Sequence, residues 1–162
     1  MLSYIGAALH RREVIVKRIT WSPPDDASSL WVAQQVGAVL CTTGHRTLVV
    51  GKSLGTLAAP LAAAIGRQLP GIWLTPLLNE RFVVNSLRRA SQPQLLIGGT
   101  ADQVGGWEPA LARSLSPYVY EVPDGDHDLL VPGPLANSAR VLGQVITEVE
   151  WFLDKMVFTG WH

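Results

Sequence analysis

Thr47-Leu48-Val49-Val50-Gly51-Lys52-Ser53-Leu54-Gly55-Thr56 is the stretch from which the rest of the chain can be read. A short β-branched run enters it. A small-residue segment leaves it, with Leu54, Leu57, Ala58, Leu61 and Ile65 at helical spacing. Between them, Gly51-Lys52-Ser53-Leu54-Gly55 fits G-x-S-x-G, the pattern of a serine held on a sharp strand-to-helix turn with its Oγ exposed. The two glycines are expected to let strand and helix approach without a Cβ clash. The helix start is expected to bring backbone N–H groups beside Ser53, where they would stabilise negative charge on a reacting oxygen. A phosphate-binding loop is the rival for Gly51-Lys52-Ser53. It requires a glycine five residues before Gly51, where Arg46 stands, so it is excluded.

Working outward, 162 residues suit a single domain, residues 1–162, with a sizeable core. Hydrophobic residues at 48% and charged residues at 16% indicate a well-buried globular chain. Thirteen Lys plus Arg balance thirteen Asp plus Glu, which gives no electrostatic argument for nucleic acid or an anionic membrane. The single Cys41 excludes an internal disulfide framework, fits a reducing compartment, and reads as a small buried residue. No signal-peptide pattern is read at the start and no apolar run is long enough to span a bilayer, so a cytoplasmic location is expected.

Upstream, Met1 to Arg12 reads as the end of an amphipathic helix, with Leu2, Ile5, Ala8 and Leu9 on one face. Val14 to Thr20 is a β-branched run that predicts a mostly buried strand. Asp or Ser in the loop after Trp21 is available to cap a helix from Ala27 to Leu40. The serine-bearing strand is predicted over Thr47 to Val50, and the helix behind it over Ser53 to Arg67, bent at Pro60. Downstream, strands are predicted at Gly71 to Leu74, Gln94 to Ile97 and Tyr118 to Val122. Helices are predicted at Glu80 to Arg89, capped by Asn79, and at Glu108 to Ser114. The final helix carries an apolar stripe of Leu142, Val145, Ile146, Val149, Phe152, Leu153 and Met156. Regular alternation of strand and helix predicts a three-layer α/β/α domain with a mostly parallel sheet of about five strands.

Functional groups in such sheets gather beyond the carboxyl ends of the strands. Ser53, Asp102 and His127 follow the second, fourth and fifth predicted strands and fall on that edge together. A serine hydroxyl needs an imidazole to take its proton, and the imidazole needs a carboxylate to orient it. Asp124, Asp126 and Asp128 compete for the acid role, but sequence neighbours of His127 aim their side chains away from it, which favours Asp102. His45 precedes its strand and belongs at the opposite edge, and His10 and His162 lie near the termini. Lys52 reads as a solvated side chain whose charge could favour an anionic substrate. Trp73 and Trp107 read as core or rim packing.

Gly51-Lys52-Ser53-Leu54-Gly55, Gly98-Gly99-Thr100-Ala101-Asp102 and Asp126-His127, in the order Ser, Asp, His, resemble the α/β-hydrolase superfamily, specifically its small, lidless members related to dienelactone hydrolase. The resemblance runs from Val14 onward. It implies Ser53 as nucleophile, His127 as base, Asp102 as its orienting acid and the Leu54 backbone N–H as an oxyanion donor. It implies no cofactor and no metal. Relatives carry a further strand and a Gly-rich loop ahead of the helix with which this chain begins, and that loop supplies a second oxyanion donor. No H-G-G-G-like segment appears here, and Met1 is read as lying inside the functional domain.

Two readings follow. The first is a serine hydrolase that cleaves a small ester or thioester through an acyl-enzyme. The connection from Leu74 to Gln94 is too short for a lid domain, so an open, shallow cleft and a polar or modest-sized acyl substrate are expected. The second is a hydrolase fold that no longer turns over and acts as a binding module. For the sheet, a gap beside the serine strand would leave buried N–H and C=O groups unpaired at about 1–3 kcal/mol each. The expectation is therefore that Val14 to Thr20 pairs directly with Thr47 to Val50 to make the fifth strand. Its exposed edge would then favour a homodimer.

Overall fold

The computed structural model describes residues 1–25, 28–64 and 68–161. The elements are α1 (Leu2–His10), α2 (Ser29–Leu40), β1 (Val49–Lys52), a 3₁₀ turn (Ser53–Ala58), α3 (Ala59–Ala62), β2 (Gly71–Leu74), α4 (Arg81–Arg89), β3 (Gln94–Gly99), α5 (Pro109–Leu115), β4 (Tyr118–Val122) and α6 (Leu135–Phe152). A π-helical turn (Leu153–Val157) and a 3₁₀ turn (Phe158–Trp161) follow α6.

Four strands form one open parallel sheet in the order β1-β2-β3-β4, with Val49 beside Gly71, Gly71 beside Gln94, and Leu95 beside Tyr118. Strands β2 and β3 are buried at every position, as parallel strands covered on both faces must be. Successive side chains point to opposite faces. Trp73 and Leu96 pack with Val32, Val36, Leu57, Val83, Leu87 and Ala112 from α2 to α5. Ile72, Leu74, Leu95 and Ile97 pack with Ile5 and Leu9 of α1 and with Val145, Val149 and Phe152 of α6. Helices therefore cover both faces. Buried Gln94 is paired on both sides of its amide: it accepts from Trp73 Nε1 at 2.7 Å and donates to the Leu69 carbonyl at 3.0 Å.

The expected fifth strand does not form. Residues 14–20 carry no strand structure, and the described sheet has four strands. The chain leaves α1 through Glu13 in the left-handed region (φ +57°), with the Val14 N–H on the Leu9 carbonyl and the Glu13 N–H on the His10 carbonyl. Beyond it Ile15 is 88% exposed, and Val16, Lys17 and Arg18 are exposed too. Water can satisfy the backbone of such a segment. The penalty that was to drive it onto β1 applies only to buried groups and is absent here.

Smaller differences have local causes. The serine strand runs two residues later than predicted, so Ser53 follows it with no intervening turn residue. Pro60 does not bend a long helix. It lies in the first turn of α3, where no N–H is needed. Asn79 does not cap α4. Its amide donates to the Val104 carbonyl at 3.1 Å, and Glu80 occupies the cap position without a side-chain bond. Cys41 is exposed, not buried. The predicted start of the second helix at Ala27, a cap at Asp26, and the stretch from Ile65 to Arg67 lie outside the described residues, as does His162.

Candidate active site

Ser53 stands at the carboxyl end of β1 with φ +49°, a conformation that costs a non-glycine residue about 1–3 kcal/mol and persists only where the surroundings enforce it. Gly51 is one enforcing element. A Cβ there would lie 2.6 Å from the Gly55 carbonyl oxygen, so strand and turn can close only over a glycine. The reverse does not hold: a Cβ on Gly55 meets open space, so only one of the two glycines is needed for the approach. Thr56, fully buried, is another. Its hydroxyl donates to the Ser53 carbonyl at 2.6 Å and accepts from the Leu77 N–H at 3.2 Å, which ties the serine turn to the end of β2. Leu54 is in the first turn of the 3₁₀ segment, where a backbone N–H has no acceptor within the helix.

Asp102 and His127 come from the loops after β3 and β4, which the backbone stitches together. Ala101 N–H donates to Gly125 O at 3.0 Å, Thr100 N–H to Val122 O at 3.0 Å, and Asp124 N–H to Thr100 Oγ1 at 2.8 Å. A Cβ on Gly99 would lie 2.0 Å from the Gly125 carbonyl oxygen, which explains why glycine ends β3. Beyond this seam, Asp126 Oδ1 accepts from the Asp128 and Leu130 N–H groups at 2.8 and 2.9 Å. Leu129, with φ +62°, is buried in the core beneath. The result is a tight turn that projects His127.

His127 Nε2 lies 2.6 Å from Ser53 Oγ, and its Nδ1 lies 2.9 and 3.0 Å from the two Asp102 carboxylate oxygens. The Asp102 side chain is fully buried, and its Oδ1 also accepts from the Gly105 N–H at 2.8 Å. With Nδ1 against a carboxylate the imidazole proton belongs on Nδ1, which leaves Nε2 free to accept from the serine hydroxyl. Two of the three rival carboxylates are employed elsewhere, Asp126 in forming the turn and Asp128 with Oδ1 2.8 Å from Lys52 Nζ, and Asp124 is exposed. Lys52 is therefore not a free solvated cation, and its ammonium holds the Asp128 carboxyl below the usual carboxylate range.

The structure thus brings Ser53, Asp102 and His127 into one hydrogen-bonded chain and leaves His10 and His45 exposed and away from it. The Lys52–Asp128 pair and the Thr56 brace are missing from the sequence reading. Their only signal was position, a lysine just before the serine, an aspartate just after the histidine, and a threonine three residues past Ser53. Trp73 and Trp107 are both core residues. Among the described residues no cluster of three His, Cys, Asp or Glu side chains is placed to hold a metal ion, and no helix is long and apolar enough to cross a membrane. No family model matches the chain, and neither a curated protein nor a solved structure matches it. What the site can do chemically is set by its own geometry.

Proposed function

We propose that this chain is a serine hydrolase of the α/β-hydrolase type that cleaves a small ester or thioester through an acyl-enzyme. The observation that carries the reading is the pair of contacts at His127, 2.6 Å to Ser53 Oγ on one ring nitrogen and 2.9 Å to the buried Asp102 carboxylate on the other. A surface histidine or a capping serine has no reason to acquire both. The left-handed Ser53 adds to it, because strain of this kind concentrates at reacting groups.

In the first half-reaction Ser53 Oγ attacks the acyl carbon as its proton passes to His127 Nε2. The Asp102 carboxylate stabilises the imidazolium without accepting the proton. Negative charge on the carbonyl oxygen is met by the Leu54 N–H. The bond from the acyl carbon to the leaving oxygen or sulfur breaks, and His127 returns the proton to the leaving group. In the second half, water loses a proton to His127 Nε2 and adds to the acyl carbon. The Ser53 Oγ–acyl bond then breaks, and the proton returns to Oγ.

A fluorophosphonate probe is expected to label Ser53 in the wild-type chain and to leave the Ser53→Ala variant unlabelled. Short-chain p-nitrophenyl esters are expected to turn over, with loss in both Ser53→Ala and His127→Ala. Equal labelling of the alanine variant, or background rates throughout the ester panel, would overturn the reading in favour of a binding module.

A further inference from the structure

The Ser53 turn and the His127 turn belong to opposite edges of the sheet. Strands β1 and β4 are separated by β2 and β3, so their carboxyl ends lie about 14 Å apart at the usual strand spacing. The turn after β4 must reach back across two strands to meet Ser53. Its base is secured over β3 by the seam to residues 100–101, and its internal shape by Asp126. Its tip is secured to the β1 side by only two polar contacts among the described residues: His127 Nε2 to Ser53 Oγ, and Lys52 Nζ to Asp128 Oδ1.

The two ties are not equivalent. The first is consumed by the chemistry. Once Ser53 Oγ carries an acyl group it has no proton to donate, and His127, still held on Nδ1 by Asp102, loses its own tie to the β1 side when it is next needed to take a proton from water. The second tie uses backbone neighbours on both sides, Lys52 immediately before Ser53 and Asp128 immediately after His127, and no atom of it reacts. The Lys52 side chain is 21% exposed and that of Asp128 is 71% exposed, so the bond sits at the rim of the site.

We propose that Lys52 and Asp128 are positioning residues, a clasp that keeps His127 over Ser53 while the acyl group occupies the serine oxygen. The role rests on the acyl-enzyme reading above, but the clasp itself can be tested without it. Lys52 does not need to touch substrate. Its effect reaches the reacting atoms through the placement of the imidazole, where small displacements have large kinetic consequences.

The test is a cycle of Lys52→Met, Asp128→Asn and the double variant, with Lys52→Arg as the conservative control. Hydrogen exchange of the amides at residues 127–130 reads the clasp directly. Either single change is expected to speed exchange about two- to fivefold, as for a rim ion pair. The double variant is expected to add nothing further, and Lys52→Arg to stay near wild type. Stopped-flow hydrolysis of p-nitrophenyl acetate reads the function. The single variants are expected to show a p-nitrophenolate burst followed by deacylation about tenfold slower, with KM falling alongside kcat as the acyl-enzyme accumulates.

Unchanged exchange in both single variants would overturn the clasp. Faster exchange with unaltered deacylation would overturn its role in the acyl-enzyme. A wild-type chain with no Ser53-dependent turnover would overturn the hydrolase reading and the kinetic role together, and the exchange cycle alone would still decide whether these two side chains hold the turn.

Discussion

Residues 14–20 and residues 94–99 are both rich in β-branched or large apolar side chains, yet only the second stretch is a strand. β3 has a neighbour on each side, is buried at every position, and ends in a glycine pair that allows the loops beyond it to close. Residues 14–20 have α1 behind them and no ladder partner among the described residues. Besides the Val14 N–H on Leu9, Lys17 Nζ ties them to Thr42, on its hydroxyl at 2.8 Å and its carbonyl at 3.3 Å. The contrast teaches that β-branched composition describes a side-chain preference for a pleated, half-buried surface and cannot by itself supply the partner that creates such a surface. It also explains where function can sit. Carboxyl-edge loops held by crowded glycines and buried hydrogen bonds can fix three side chains to hydrogen-bond distance, whereas a solvated segment cannot.

The sharpest break of the comparison is chemical. Asp102→Asn preserves size and burial but lets the His127 ring adopt the wrong tautomer. Its kcat on p-nitrophenyl acetate is expected to fall about 10⁴-fold with the far-ultraviolet circular dichroism unchanged. A variant within tenfold of wild type would remove Asp102 from the site.

Core truncation comes next. Leu96→Ala, at a fully buried β3 position, is expected to cost about 2–5 kcal/mol in urea unfolding. Ile15→Ala, at an 88% exposed position, is expected to stay within about 0.5 kcal/mol. A large loss at Ile15 would mean that residues 14–20 are buried in solution after all.

Glycine crowding gives a finer contrast on the carboxyl edge of the sheet. Gly99→Ala forces a methyl into the Gly125 carbonyl and is expected to destabilise by about 3 kcal/mol or more and to lower esterase activity. Gly55→Ala meets open space and is expected to be neutral or slightly stabilising. A loss at Gly55→Ala as large as that at Gly99→Ala would show that Gly55 is crowded at the serine turn.

The smallest expected effect is a pH dependence at the other end of the molecule. Arg12 holds Asp154 through two bonds of 2.6 and 2.8 Å, tying the exit of α1 to the turn after α6, and this guanidinium keeps the Asp154 carboxyl below its usual value. A depressed carboxyl contributes stability that is complete above its unfolded value of about 3.9 and is lost as pH falls through the lower folded value. Both side chains are partly solvated, so the contribution is about 1 kcal/mol or less. Between pH 5 and pH 3 the wild-type Tm is expected to drop slightly more than that of Asp154→Asn. Parallel profiles would show that the pair adds nothing.

Much of this was legible in the sequence, because it depends on local chemistry. Local pattern placed α4, α5, β2, β3 and β4 within a few residues and marked α6 by its apolar stripe, since each element buries its own apolar face. The spacing of Gly51, Ser53 and Gly55 announced a serine at a strand end, and the position of Asp102 and His127 after later strands put all three on one edge. Tertiary structure decided what depends on partners distant in the chain. Whether residues 14–20 join the sheet turned on their exposure, which no local pattern records. That Gly51 and not Gly55 is crowded, that Asp126 shapes the turn while Asp102 meets the imidazole, and that Lys52 is bound to Asp128 all follow from the seam between the β3 and β4 loops and the reach of the second across the sheet. A sequence sets which groups are available within a few residues of one another. The packing of the sheet sets which of the remaining groups come within three ångströms, and the chemistry acts at that distance.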